Sequence, residues 1–300
     1  MLRFISILFF ELTVLTLFSQ QPVVQNWPNG KVKSIGAIVN NSYEGKWVFT
    51  HPNGRISSEG FYKNNLPHGF WAYSDSLGKK IKEGYFKNGV IDSVWTFYDV
   101  NESIKSKEYY KENKSNGISI EFYPSGQKKS EGSYLSGLKE GKWTYWNYSG
   151  IKEGEENYSS GALKGKKSTF YPNGKLKTEE NILNDQLNGT YIMWHPCADS
   201  AKIPYGNLQS VGNFANGKAE GQWKYWNEKG TLTVTGEQKN GLWNGTWTEW
   251  NDNGIKTSLG KYSNNKKTGK WIYWNSDGAV RRIEYFDREG KFLKEIRYEK

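Results

Sequence analysis

One spacing constrains this chain more than any other feature. Glycine stands at 45, 69, 117, 141, 165 and 189, with serine in the matching place at 93, so a mark falls every 24 residues. The next mark, Gly221, follows after 32 residues, which leaves eight inserted; Gly245 and Gly269 then restore the step of 24. The residues around the marks repeat too. Gly141-Lys142-Trp143-Thr144-Tyr145-Trp146-Asn147 returns nearly unchanged from Gly221 to Asn227 and from Gly269 to Asn275. A short unit cannot bury its own apolar surface alone, so copies must stack on their neighbours, and the product is a scaffold rather than a globule around one pocket.

With the mark as position 0, a second glycine recurs at +9 (Gly54, Gly78, Gly126, Gly150, Gly174, Gly230, Gly254, Gly278), often ending Asn-Gly or Asp-Gly. Those dipeptides supply the positive φ of tight turns. A third glycine recurs at +15 (Gly60, Gly84, Gly132, Gly236, Gly260), and +17 recurrently carries an aromatic: Tyr62, Phe86, Tyr110, Tyr134, Tyr158, Tyr262 or Phe286. Glycine interrupts every stretch and no helical stripe appears, so each unit reads as strand, turn, strand, loop. The expectation is an all-β chain: an elongated single meander of stacked β-hairpins with units starting near 45, 69, 93, 117, 141, 165, 189, 221, 245 and 269. A partial unit covers 26–44, and a charged piece over 285–300 caps the last edge. Strands at ~4.8 Å spacing would make a ribbon on the order of 100 Å long.

The core must be aromatic, because 14 tryptophans, 20 tyrosines and 14 phenylalanines stand among few aliphatic residues. Side chains alternate faces along a strand, so +2 and +4 share one face. Trp47, Trp71, Trp95, Trp143, Trp223, Trp247 and Trp271, with Tyr191, hold +2 and read as a structural core column packed over the bare +15 glycines. Tyr98, Phe122, Trp146, Phe170, Trp194, Trp226, Trp250 and Trp274 hold +5 on the other face. They are the candidate binding surface, either a second packed layer or an exposed strip for stacking on sugars, lying at lipid headgroups or anchoring a protein.

Net charge is +10, with Lys and Arg dealt out one or two per unit. That diffuse field suits an acidic partner such as anionic lipid, and nucleic acid is not expected. Cys197 is the single cysteine, which excludes an intrachain disulfide and a multi-cysteine zinc site. His51 and His195 occupy +6 before a proline, and His68 precedes Gly69; all three read as turn residues. His195 and Cys197 have no acid placed to orient them, so no catalytic residue, metal or cofactor is assigned. The inserted residues fall at a hairpin tip, around 197–205. Residues 1–21 read as a secretory signal: Arg3, an apolar run, then Ser19-Gln20-Gln21. Export to a periplasmic, cell-surface or extracellular location follows, with 22–300 as the mature repeat domain.

The pattern Gly-x-Trp-x-x-Tyr-x-x-x-Gly followed by Glu-Gly-x-Tyr-x-x-Gly, as in Glu83 to Gly89 and Glu131 to Gly137, resembles the MORN-repeat variant family of many bacterial proteins. The likeness covers about residues 26–290; Ser93 and Lys167 depart from it. It implies a meander of β-hairpins that contacts protein or lipid, and many members are labelled antitoxin components. The expected function is an exported, non-enzymatic scaffold that binds protein or a cell-envelope polymer. Carbohydrate or cell-wall binding through +5, anionic-lipid binding and an antitoxin-like neutralising role are the alternatives.

Overall fold

The computed structural model describes residues 22–198 and 204–298. The leader, residues 199–203 of the insertion and the last two residues of the cap lie outside the described residues. The chain divides into two units, up to Leu138 and from Lys139 onward. Every regular element described is a strand.

The first unit holds β1 (Val23–Asn26), β2 (Val32–Val39), β3 (Ser42–Thr50), β4 (Ile56–Lys63), β5 (Leu66–Ser74), β6 (Lys80–Lys87), β7 (Val90–Tyr98), β8 (Ile104–Lys111), β9 (Lys114–Phe122) and β10 (Lys128–Leu135). Each pairs antiparallel with the next in chain order. The second unit follows the same rule with β11 (Leu138–Trp146), β12 (Lys152–Ser159), β13 (Ala162–Leu163), β14 (Gly165–Phe170), β15 (Leu176–Leu183), β16 (Gln186–Trp194) and β17 (Leu208–Ala215). It continues through β18 (Lys218–Trp226), β19 (Leu232–Lys239), β20 (Leu242–Trp250), β21 (Lys256–Ser263), β22 (Lys266–Trp274), β23 (Val280–Phe286) and β24 (Phe292–Arg297). β13 and β14 together hold the place of one strand, since both pair with β12. Each unit is therefore a meander of hairpins, and the charged tail forms its last one.

Turn chemistry sets the register. At the +9 turns Asn147 Oδ1 accepts the N–H groups of Ser149 and Ile151, both at 3.0 Å, and Asp75, Asp99, Asn227 and Asn251 repeat the device, which Asp287 also uses in the β23–β24 turn at the other edge. At the opposite edge Asn64 and Asn65 have φ of 51° and 65°, the two positive values that a tight hairpin turn needs. The marker glycine is in neither turn. It lies inside the strand at positive φ (Gly69 at 71°) beside a break in register, so it is the bulge residue, and Ser93 takes the same conformation at 60°.

The core is one residue thick. Trp47, Trp71, Trp95, Trp143, Trp223, Trp247 and Trp271 are buried. The glycine beneath an indole belongs to the preceding hairpin. A Cβ on Gly60 would lie 2.2 Å from the Trp71 ring, and Gly36, Gly84, Gly212, Gly236 and Gly260 stand in the same way under Trp47, Trp95, Trp223, Trp247 and Trp271. Lying flat, the indole reaches the next carbonyl along: Trp71 Nε1–H donates to Phe61 O at 3.0 Å, and Trp95 to Tyr85 O at 3.0 Å. The residue at −2 covers the ring from above. Tyr43 stacks on Trp47 at 4.1 Å and Trp243 on Trp247 at 4.4 Å, while the Lys139 and Lys267 ammonium groups lie over Trp143 and Trp271. The +17 ring closes the side edge-on, as Tyr62 does against Trp71 at 5.1 Å.

Candidate binding surface

Where the indole is missing, the glycine is missing too. Glu108, Glu156, Glu180 and Glu284 hold the +15 slot, and eleven residues on stand Ser119, Lys167, Tyr191 and Glu295. Each of these carboxylates is taken up by local partners. Glu108 accepts from the Tyr110 hydroxyl at 2.6 Å and the Ser106 hydroxyl at 3.0 Å. Glu156 accepts from Tyr158 at 2.7 Å and faces the Lys167 ammonium at 3.4 Å. Glu284 accepts from Tyr273 at 2.8 Å and Arg282 at 2.9 Å. Burial raises the Glu156 pKa, but the hydroxyls of Tyr158 and Tyr145 and the Lys167 charge outweigh it and hold the group below its usual range. Burial, then the Glu108 carboxylate, pushes Tyr110 up to about 12. Glu156 is thus held as a charged carboxylate and Tyr110, Tyr158 and Tyr273 as neutral phenols, a packing role rather than a proton-transfer one.

The +5 column lies half-buried: Tyr98, Phe122, Trp146, Phe170, Trp226, Trp250 and Trp274 are neither sealed nor open. Trp194 departs from an exposed strip altogether. It is 7% exposed because Tyr205, from the insertion, stacks on it at 5.2 Å. Elsewhere the +11 side chain covers the column. Lys80 lies 5.5 Å from the Tyr98 ring and Lys152 lies 5.3 Å from that of Phe170. The Tyr98 hydroxyl donates to Glu83, and burial followed by that carboxylate pushes its pKa up to about 12.

The open aromatic surface stands at +1 and +16 of the first unit, on the face away from the tryptophans. Phe61, Phe70, Tyr85, Tyr109 and Ile118 are 41–50% exposed, with Val94 half-buried among them. They come from β4, β5, β6, β7, β8 and β9 in turn, one per strand. Phe70 and Tyr85 are register partners with rings 5.4 Å apart. At ~4.8 Å per strand the strip is roughly 24 Å long. Its four rings, each about half open, present on the order of 400 Å² of apolar surface, within the size range of patches that mark interaction sites. Two residues beyond each +16 ring, on the same face, stand Lys63, Lys87 and Lys111, all exposed. None of the three is in an ion pair with a described residue. In the second unit the same slots hold Lys142, Asn157, Lys166, Asn181, Thr190, Asn213, and so on to Lys270, with Tyr285 the single aromatic.

The histidines serve the fold. His51 Nε2 meets Ser74 O at 2.9 Å, His195 Nε2 meets Trp226 O at 2.8 Å, and Tyr171, in the same +6 slot, donates to Trp194 O at 2.7 Å. His68 is not a turn residue: it lies within β5 opposite Phe61, because the bulge at Gly69 lets the strand begin three residues earlier, at Leu66. Cys197 is a free thiol beside the hairpin tip, where its carbonyl accepts from Asn173 at 2.8 Å. Among the described residues no group of His, Cys, Asp and Glu could hold a metal ion, and no helix is long and apolar enough to cross a membrane.

Two comparisons bear on this geometry. The MORN repeat variant family matches residues 43–64, 115–135 and 163–184. Each match begins two residues before a marker glycine and ends just past the +17 position (Tyr62, Tyr134 and Ile182), so the three fall in one phase of the 24-residue period. The third covers the copy in which Lys167 replaces tryptophan. No curated protein matches the chain.

Proposed function

We propose that this MORN-variant repeat protein is an exported, non-enzymatic scaffold that binds a protein partner on the open face of its first unit. The strip from Phe61 to Ile118, bordered by Lys63, Lys87 and Lys111, carries the reading. Its partner presents an apolar ridge edged with acidic side chains. The strip supplies about half of the ~800 Å² that one side of a standard interface buries, and the lysines steer the approach. A non-enzymatic role is supported by the groups that would otherwise do chemistry: His51 and His195 are held by the strand-end carbonyls of Ser74 and Trp226, and the resolved carboxylate shifts run away from neutrality. Export rests on the sequence of residues 1–21.

A photo-crosslinking residue placed at 70, 85 or 109, in cells that express the full chain, tests this. Discrete adducts are expected from those positions and not from 222, 246 or 261 in the second unit. Those from position 109 are expected to vanish in a Phe70→Ser/Tyr85→Ser variant of unchanged far-ultraviolet spectrum. Equal labelling from both sets of positions sinks the proposal. Fractionation of tagged protein to the cytoplasm alone sinks the export half.

A further inference from the structure

The +11 slot between successive +5 rings can hold a plug; isoleucine stands there at 56 and 104 and valine at 280, and one stretch lacks the plug three times in a row. Lysine fills it at 80, 128, 152 and 256, and Lys80 and Lys152 lie over ring faces. From Phe170 to Trp250 leucine fills it instead, at 176, 208 and 232. Leucine ends two bonds short of a lysine ammonium and leaves ring faces uncovered. In the middle of this stretch the insertion adds Tyr205. Trp194 ends β16, Leu208 opens β17 opposite it, and Trp226 ends β18 on the far side.

A cavity of about 310 Å³ lies there, lined by Trp194, Tyr205, Asn207, Leu208 and Trp226, with glycine backbone at 206 and 230. The stacked pair Trp194–Tyr205 forms one wall and Trp226 the other, two strands or ~10 Å apart, with Leu208 between them. A flat ring with apolar faces fits between such walls. The volume is at the small end of ligand sites, enough for one or two small rings. The rim is polar: the exposed Asn207 carboxamide donates through Nδ2 to Glu228 O at 2.8 Å, and the 43%-exposed Tyr205 carries a hydroxyl. The walls ask for apolar ring faces and the rim asks for hydrogen-bonding edges.

We infer that this slot is a saccharide subsite, taking one pyranose ring by its C–H faces between Trp226 and the Trp194–Tyr205 pair, with ring hydroxyls meeting Asn207 and the Tyr205 hydroxyl. A pyranose has both features, apolar axial C–H faces and an equatorial belt of hydroxyls. An aromatic protein anchor satisfies the walls and leaves the rim groups without a partner. The slot shares no residue with the strip of the first unit, so either assignment fails without the other.

The test uses the full mature chain with ¹⁵N-labelled tryptophan, titrated with chitotriose, cellotriose and maltotriose while the indole N–H resonances are followed. At least one trisaccharide is expected to shift the Trp194 and Trp226 signals saturably, with a dissociation constant on the order of millimolar for so small a contact. Trp226→Ala and Tyr205→Ala are expected to weaken it by about tenfold or more. Trp226→Phe, which keeps a ring face, is expected to retain most of the affinity, and Trp274→Ala, beyond the Lys256 plug, to leave it unchanged. No saturable shift up to about 20 mM of any of the three overturns the inference, since weaker binding would lie below what one stacked ring provides. Equal loss in Trp274→Ala overturns it too. A shift produced by the peptide Gly-Trp-Gly and by none of the sugars assigns the slot to a protein side chain instead.

Discussion

Gly60→Ala adds one methyl group to an exposed single-layer sheet, where alanine ordinarily gains about 0.5–1 kcal/mol over glycine. Here the reverse is expected. The new Cβ would stand 2.2 Å from the Trp71 ring, far inside contact distance, and that ring is 3% exposed. The indole must lift off the backbone. An indole that buries about 200 Å² loses up to ~5 kcal/mol of transfer free energy if fully expelled. Its N–H bond to Phe61 O, worth ~1 kcal/mol net, goes with it. Partial re-burial and the alanine gain offset some of this, leaving ~3–5 kcal/mol, comparable with truncating a buried aromatic side chain outright. Repeat units interact with nearest neighbours, so the loss falls on β4 and β5 first. Urea unfolding gives the size, and amide exchange across those strands gives the place. The decisive measurement is the double variant. If the methyl acts through the indole, Gly60→Ala costs nothing or stabilises once Trp71 is alanine, a coupling of about 3 kcal/mol or more. A cost under ~1 kcal/mol in the parent, or the same cost in both backgrounds, refutes the reasoning.

Two further outcomes follow from the same geometry. Ser119→Trp alone sets an indole against Glu108 and is expected to cost about 1–3 kcal/mol, whereas Ser119→Trp with Glu108→Gly rebuilds a glycine–tryptophan rung and returns at least parent stability in urea midpoints. Stability is expected to fall at both ends of the pH scale. The folded pKa values of Glu83, Glu155 and Glu156 are depressed, so their contribution is complete above the unfolded carboxylate range and is lost as pH falls through the folded values; Glu155→Gln/Glu156→Gln flattens the acid limb. Tyr98 and Tyr110 are raised to about 12, so their contribution is complete below ~10 and is lost as pH climbs from there towards 12, read by phenolate absorbance alongside unfolding.

The periodic part of this molecule was legible because periodicity is what hairpin stacking demands. The 24-residue step, the turn dipeptides and the lack of any helical stripe lead to the meander of strands that the structure has. What a consensus reading could not see is what differs between copies. The +1 slot holds Lys46, Phe70, Val94, Ile118 and Lys142, a series with no common residue, so no column emerges from it. The strip exists only after strand pairing sets +1 of one strand beside +16 of the next. That the +2 indoles pack over +15 glycines was legible, but which glycine meets which indole was hidden for a related reason: Gly60 and Trp71 lie eleven residues apart across a unit boundary, and each looks like a feature of its own copy. The +5 column misled in the opposite way. It is regular in sequence, but regularity does not tell an open ring from one lying under Lys80, Lys152 or Tyr205.

This difference between the faces bears on how such a chain can vary. On the tryptophan face a change is locked to a second site, since an indole needs a bare glycine eleven residues earlier and a glutamate there forbids it. The four places where the lock is broken are broken at both ends, at Glu108 with Ser119, Glu156 with Lys167, Glu180 with Tyr191 and Glu284 with Glu295. On the opposite face Phe70 or Ile118 can become lysine or threonine, as in later copies, without disturbing a buried partner. Binding chemistry is therefore free to drift there, copy by copy, while the rungs stay fixed. An apolar strip confined to the first unit and a ring slot walled by Tyr205 of the insertion in the second are the two places where that freedom has produced something local rather than something repeated.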